Sequence, residues 1–179
     1  MELLKSKYSF LISRYKNKIY GYAMYMLRDS MDADDVTQEA MIRIWQNIDK
    51  FNLLSAKSWI MRTTHNLCLD FLRRKAAYVK RGGSVTELME EEIADHSGLN
   101  NPGVKTETAE IGQTLKTAIE KLPVSLKSVF LMYEIDGLKY REIGAALDMP
   151  VNSVKVYLLR TRVKLQDELK KLAEKGYLQ

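Results

Sequence analysis

Cysteine occurs once in this chain of 179 residues, at Cys68, which excludes an internal disulfide framework and fits a reducing compartment. Cys68 also sits beside an apolar helical edge, where a buried, inert thiol is expected. Proline occurs three times and glycine nine times, too sparse a punctuation for a chain of short strands and turns. The two histidines, His65 and His96, fall in different segments with no obvious carboxylate or Cys partner; His65 is expected to face solvent or bond to backbone rather than act in catalysis. A Gly-rich phosphate loop, a GxSxG turn and an HExxH helix are all missing. The acidic run Asp32–Asp35 (DADD) lacks the spacing, the central Gly and the terminal Glu of a calcium loop. No apolar run approaches the ~20 residues of a membrane span, and no secretory h-region opens the chain. These absences argue against an enzyme, a metal site or a cofactor, and the expected location is cytoplasmic.

What is abundant is Leu, Ala, Lys, Glu and Met, a helix-forming composition at 46% hydrophobic and 28% charged residues. The net charge is +5, and its distribution says more than its total. Between Ser84 and Glu110 seven carboxylates face Lys105 alone, a balance of −6, so the rest of the chain carries +11. Two basic ends flank an acidic middle. That middle holds Gly98, Asn100, Asn101, Pro102 and Gly103 with little apolar periodicity, and reads as a flexible linker between two helical domains. The fold expected is therefore all-α, with domains at 1–80 and 108–179 and a linker at 81–107.

Helical spacing recurs throughout. Leu11, Tyr15, Ile19, Tyr22 and Met26 mark a helix over Tyr8–Leu27, in a stretch holding five of the ten tyrosines. Asp32 is a candidate N-cap for a second helix to about Ile48, with Val36, Ala40, Ile44 and Ile48 inward. Phe51–Lys57 reads as a connection. Beyond the linker, helices are expected over about Thr108–Leu122, Ser125–Asp136 (stopped by Gly137) and Tyr140–Leu147, with a last one capped by Asn152 or Ser153 and reaching about Ala173.

Two stretches carry chemistry. In Ser58–Lys75, Ile60, Leu67 and Phe71 form an apolar edge, while Arg62, Asn66, Asp70 and Arg73 line a second one. Trp59 stands at the N-terminal end of that polar row, and Arg73, Arg74 and Lys75 close it. Cations that suit phosphate alternate with groups that can read a base edge, although a solvated helix face shows a similar stripe. The last two helices form a short helix, a turn at Asp148-Met149-Pro150 and a longer helix, the order of a helix-turn-helix. Val154, Leu158, Thr161, Leu165, Leu169 and Leu172 cluster on its core side, whereas Lys155, Val156, Leu159 and Arg160 point away, with Arg162 and Lys164 as flanking cations. Val156 and Leu159 among cations suit thymine methyls in a major groove.

The segments DADDVTQEAMIRIWQNIDKF and WIMRTTHNLCLDFLRRK together resemble the second conserved region of bacterial extracytoplasmic-function (ECF) sigma factors, of the sigma-70 family. The segment LPVSLKSVFLMYEIDGLKYREIGAALDMPVNSVKVYLLRTRVKL resembles their fourth region. The resemblance implies a region 2 bundle at 1–80 and a region 4 helix-turn-helix at 108–179 in a subunit that joins core RNA polymerase and directs it to a two-part promoter. It assigns Asp35, Gln38, Glu39, Arg43 and Trp45 to the polymerase clamp. It assigns Trp59, Arg62, Asn66, Asp70, Arg73 and Arg74 to melting the −10 element and holding its non-template strand. Ser153, Lys155, Val156, Leu159, Arg160 and Arg162 would meet the −35 duplex. Asp70 either reads a base or orders the arginines beside it. The acidic linker would thread toward the RNA exit path, and an anti-sigma factor, membrane-anchored in many relatives, is the implied regulator.

Tyr157 and Tyr133 stand where the family commonly has basic residues, and the Phe51–Trp59 connection is one residue short and lacks an Arg-Gly pair. A helix-turn-helix repressor or activator that binds duplex operator DNA without polymerase is the competing reading, but no dimerisation heptads are present to pair two half-sites. An adaptor that binds no DNA leaves the cationic stripes without a purpose.

Overall fold

The computed structural model describes residues 2–50, 52–81 and 107–174, so most of the expected linker lies outside the described residues. These residues form α1 (Glu2–Leu27), α2 (Ser30–Gln46), α3 (Leu53–Lys80), α4 (Glu107–Glu120), α5 (Val124–Phe130), a π-helical turn (Leu131–Ile135), α6 (Tyr140–Leu147) and α7 (Val151–Glu174). Among the described residues there is no strand, as the composition leads one to expect.

Helices α1, α2 and α3 pack mutually into one bundle, and α4, α5 and α6 pack around α7 in a second. The inward stripe of α1 (Leu11, Tyr15, Ile19, Tyr22, Met26) is buried, as are Val36, Ala40 and Ile44 of α2 and Ile60, Met61, Leu67 and Cys68 of α3. In α7, Val154, Leu158, Thr161 and Leu165 are buried as the spacing predicts, and Leu169 is half-buried. The side chain of Leu172 lies outside the described residues.

Several boundaries differ from the sequence reading, for local reasons. Arg28 takes φ 61, which ends α1. Asp29 (φ −136) is then extended, and its carboxylate accepts from the Asp32 N–H at 2.9 Å, so Asp29 rather than Asp32 caps α2. The expected connection Phe51–Lys57 is mostly helix, because the Asn52 carbonyl accepts from the Ser55 and Ala56 N–H groups and starts α3 early. Similarly, the Pro150 carbonyl accepts from Ser153 and Val154, so α7 starts at Val151 and neither Asn152 nor Ser153 caps it.

The segment expected as a plain helix over Ser125–Asp136 switches pitch after Phe130. The Asp136 N–H reaches Leu131 O at 3.0 Å, five residues back, and Gly137 (φ 66) then stops the helix as expected. In the turn between α6 and α7, Asp148 is left-handed (φ 54) and Gly144 lies under Met149. A Cβ on Gly144 would come within 2.8 Å of the Met149 carbonyl oxygen, so the tight crossing of these two helices requires glycine there.

The two bundles touch. Helix α3 lies along α6, α1 meets α4 and α5, and the buried apolar side chains run as one cluster through both halves.

Candidate nucleic-acid and polymerase interfaces

Three surfaces emerge, each built on a rigid helix. The first is on α2. Asp35 and Gln38 are exposed, Glu39 and Arg43 form a hydrogen-bonded i,i+4 pair at 2.8 Å, and Trp45 is 44% exposed with its ring edge-on to Tyr8 at 5.1 Å. Ile42 is half exposed and joins Asp35, Gln38 and Trp45 on one stripe. Sequence reasoning missed it, although its spacing of four from Gln38 and three from Trp45 was the available signal. A partly polar stripe with an open aromatic and an open isoleucine is suited to protein contact.

The second surface is the outer row of α3. Arg62, Asn66, Asp70, Arg73 and Arg74 are all exposed, and Trp59 is half-buried at the head of the row. Asp70 bonds to Arg73 at 3.1 Å, while the Arg74 guanidinium lies 4.3 Å over the Phe71 ring. Asp70 thus orders Arg73 in this state. Arg62 lies 3.9 Å from Asp148, across the boundary between the bundles.

The third is the outer face of α7. Lys155, Arg160 and Arg162 are exposed, Ser153 is half-buried, and Val156 and Leu159 stand open at 44% and 64%. Val163 extends that apolar strip and was missed, being one turn beyond Leu159. Arg162 is not an isolated cation. Glu134 accepts from its Nη2 at 2.8 Å, and its guanidinium sits 5.5 Å over the Tyr133 ring, which stacks on Tyr140 at 5.1 Å. Tyr133 therefore serves as a platform for a neighbouring arginine.

Buried ionisable groups lie between the bundles. Contrary to the sequence reading, His65 is part-buried and bonds to a side chain, its Nδ1 lying 2.9 Å from the Tyr22 hydroxyl and 3.4 Å from Ser128 Oγ. Burial pushes the imidazole down to about 4, so it is neutral at pH 7. Burial likewise raises the Tyr22 phenol well above its ordinary value. Asp136 is 2% exposed with no partner on Oδ2, and burial, only partly offset by Lys18 and Lys57, raises its carboxyl to about 7. Cys68 is buried, as expected, and its thiol is pushed up to about 12 by burial. Among the described residues no cluster of His, Cys, Asp and Glu is arranged to hold a metal ion, and no helix is long and apolar enough to cross a membrane.

Comparison with known proteins gives a consistent answer. Residues 11–78 match the Sigma-70 region 2 family and residues 112–165 the Sigma-70, region 4 family, which together span more than half the chain. The chain is 33% identical over 167 residues to the ECF RNA polymerase sigma factor SigW of Bacillus subtilis (strain 168), covering 90% of this chain and 88% of that one. It is 28% identical to the ECF RNA polymerase sigma-E factor of Escherichia coli (strain K12), covering 92% and 87%. The sigma factor RpoE of Bartonella quintana, solved in complex with the anti-sigma factor NepR, shares the fold at TM-score 0.70 and 19% identity, over 90% of this chain and 95% of that one. With both conserved regions present in order on helices of the expected kind, the chain belongs to the extracytoplasmic-function sigma factors of the sigma-70 family.

Proposed function

We propose that this protein is a non-enzymatic initiation subunit that binds core RNA polymerase and delivers it to a two-part promoter. The observation that carries the reading is one chain bearing two unlike exposed faces, each with side chains suited to nucleic acid. The row on α3 combines an aromatic, an amide and cations, which suits unstacked single-stranded bases. The face of α7 combines open aliphatics and cations, which suits a duplex major groove.

In this scheme residues 1–80 act as region 2, residues 108–179 as region 4, and 81–107 as the tether. Asp35, Gln38, Glu39, Arg43 and Trp45, with Ile42, dock on the polymerase clamp. Trp59 and Asn66 capture −10 bases while Arg62, Arg73 and Arg74 hold the backbone, and Asp70 sets the arginines. Lys155, Val156, Leu159 and Arg160 read the −35 duplex, with Ser153 and Arg162 at its phosphates. Each module binds weakly, and engaging both at once multiplies the affinity. The protein acts in the cytoplasm, and an anti-sigma partner, membrane-anchored as in many relatives, holds it in resting cells; its purification from such cells with polymerase alone contradicts that last element.

The test is transcription of fragmented genomic DNA by core polymerase, with and without this protein, mapping transcript 5′ ends. New discrete starts sharing an upstream two-part motif are the expected result. No new starts, together with tight duplex binding by the protein alone, would instead establish an ordinary helix-turn-helix regulator.

A further inference from the structure

The exposed stripe of α2 ends on a side chain that α1 holds in place. Trp45 stands in the last turn of α2 and is 44% exposed. An open indole at a helix end has several rotamers available to it. Here the Tyr8 ring, from the second turn of α1, meets it with centroids 5.1 Å apart and planes at 76°. This edge-to-face geometry is one that the ring quadrupoles favour.

Tyr8 is itself held in register. Beside it, Lys7 gives Nζ to the Ile48 carbonyl at 2.7 Å, just past the end of α2. That carbonyl belongs to the turn closing α2, in which the Ile48 N–H reaches Trp45 O and Asn47 Nδ2 reaches Arg43 O at 2.9 Å. A helix leaves its last carbonyls without intrahelical partners, and a cation there also meets the negative end of the dipole. The buried stripe of α1 starts only at Leu11. Tyr8, half-buried, packs on the rim of the core and leaves the ring pair at the surface.

We infer that Tyr8 is a positioning residue for polymerase binding: it fixes the Trp45 indole in the orientation that core polymerase receives, and Lys7 sets its register. The inference rests on the sigma-factor reading and deepens the docking surface assigned there to α2. Its partner is an apolar surface of the polymerase that covers Trp45 together with Ile42, which is 50% exposed three residues earlier. An indole already held in one rotamer loses little side-chain freedom when covered, so less of the contact energy is spent on ordering it. The other exposed aromatic of α1, Phe10, lies about 200° round the helix from Tyr8 and faces away from the pair.

The experiment is a double-mutant cycle read as affinity for core RNA polymerase. The full chain carries a fluorescent label at Asn17→Cys, an exposed position about 180° round α1 from Tyr8, while the buried Cys68 thiol stays unlabelled. Tyr8→Leu keeps the apolar volume but removes the ring edge, and should weaken binding about three- to tenfold. In a Trp45→Ala background the same substitution should change nothing, because the group that it positions is gone. Tyr8→Phe should restore wild-type affinity, and Phe10→Ala should leave it unchanged. Equal losses from Tyr8→Leu in both backgrounds reveal general destabilisation or an independent contact, and overturn the inference. Unchanged affinity in Tyr8→Leu or in Trp45→Ala overturns it as well, as does a comparable loss from Phe10→Ala; in each case wild-type binding, and so the sigma reading, stands. Wild-type protein that fails to bind core polymerase removes the sigma reading, and this inference with it.

Discussion

Glu134→Ala should make promoter binding tighter and more sensitive to salt. In the structure the Arg162 guanidinium gives Nη2 to Glu134 Oε1 at 2.8 Å and Nε to the same oxygen at 3.3 Å, so the pair presents no net charge beside Lys155. Both partners are about half exposed, so losing the pair costs the fold only about 0.2–1 kcal/mol. The cation stays on the DNA side because the Tyr133 ring beneath it, itself stacked on Tyr140, is untouched. One added phosphate contact steepens the slope of log affinity against log salt by about 0.9, so a fourfold rise in salt weakens the variant about 3.5-fold more than the wild type. The assay is a salt titration of polymerase–promoter binding with both proteins, on templates with and without the −35 duplex. An unchanged slope, or an equal change on the template lacking −35, refutes the placement of Arg162 at that DNA.

Three further outcomes follow from the same geometry. Arg160→Ala should cost about 1–3 kcal/mol of discrimination at one −35 base pair, and a uniform loss across −35 variants would make it a phosphate contact instead. Trp59→Ala should spare closed-complex binding yet reduce permanganate reactivity of −10 thymines, and undiminished reactivity rejects its role in strand capture. For Asp136, raised from 3.8 to about 7, the stabilising contribution is full below about pH 4 and lost as pH rises through 7. For His65, lowered from 6.5 to about 4, it is full above 6.5 and lost as pH falls through 4. The two trends oppose each other in the wild type, so Asp136→Asn should leave stability rising from pH 4 to 6.5 in denaturant melts, and parallel profiles for the two proteins would contradict it.

The helices were legible in the sequence because each has a one-sided apolar stripe, and local spacing alone reports that. The stripe of α7 sorted Val154 and Leu158 inward from Val156 and Leu159 outward, and the glycine stop at Gly137 stood where expected. Capping was less legible: Asp29, Asp32, Asp34 and Asp35 are all chemically suitable, and the choice fell to the one following the left-handed Arg28. The joining of the bundles was not legible at all. Ser128 and Asp136 look like surface residues, Tyr22 looks like any core aromatic, and His65 has no partner nearby in the chain. Their meeting depends on residues 43 to 118 positions apart, and no periodicity encodes that.

The wide turn at Leu131–Ile135 amounts to a residue inserted into an otherwise ordinary helix. Removing one residue there would let the segment close as α-helix and rotate everything after it by about 100° relative to α5. Tyr133 would leave Tyr140, and the Asp136–Gly137 carbonyls would turn away from Lys18 and Lys57. A single extra peptide unit thus keeps two distant relationships in phase, the Tyr133 platform under Arg162 of α7 and the lysine-to-carbonyl bonds between the bundles. The length of this segment is therefore constrained as well as its sequence: a substitution at Tyr133 or Glu134 is felt at Arg162, whereas a deletion is transmitted to both bundles.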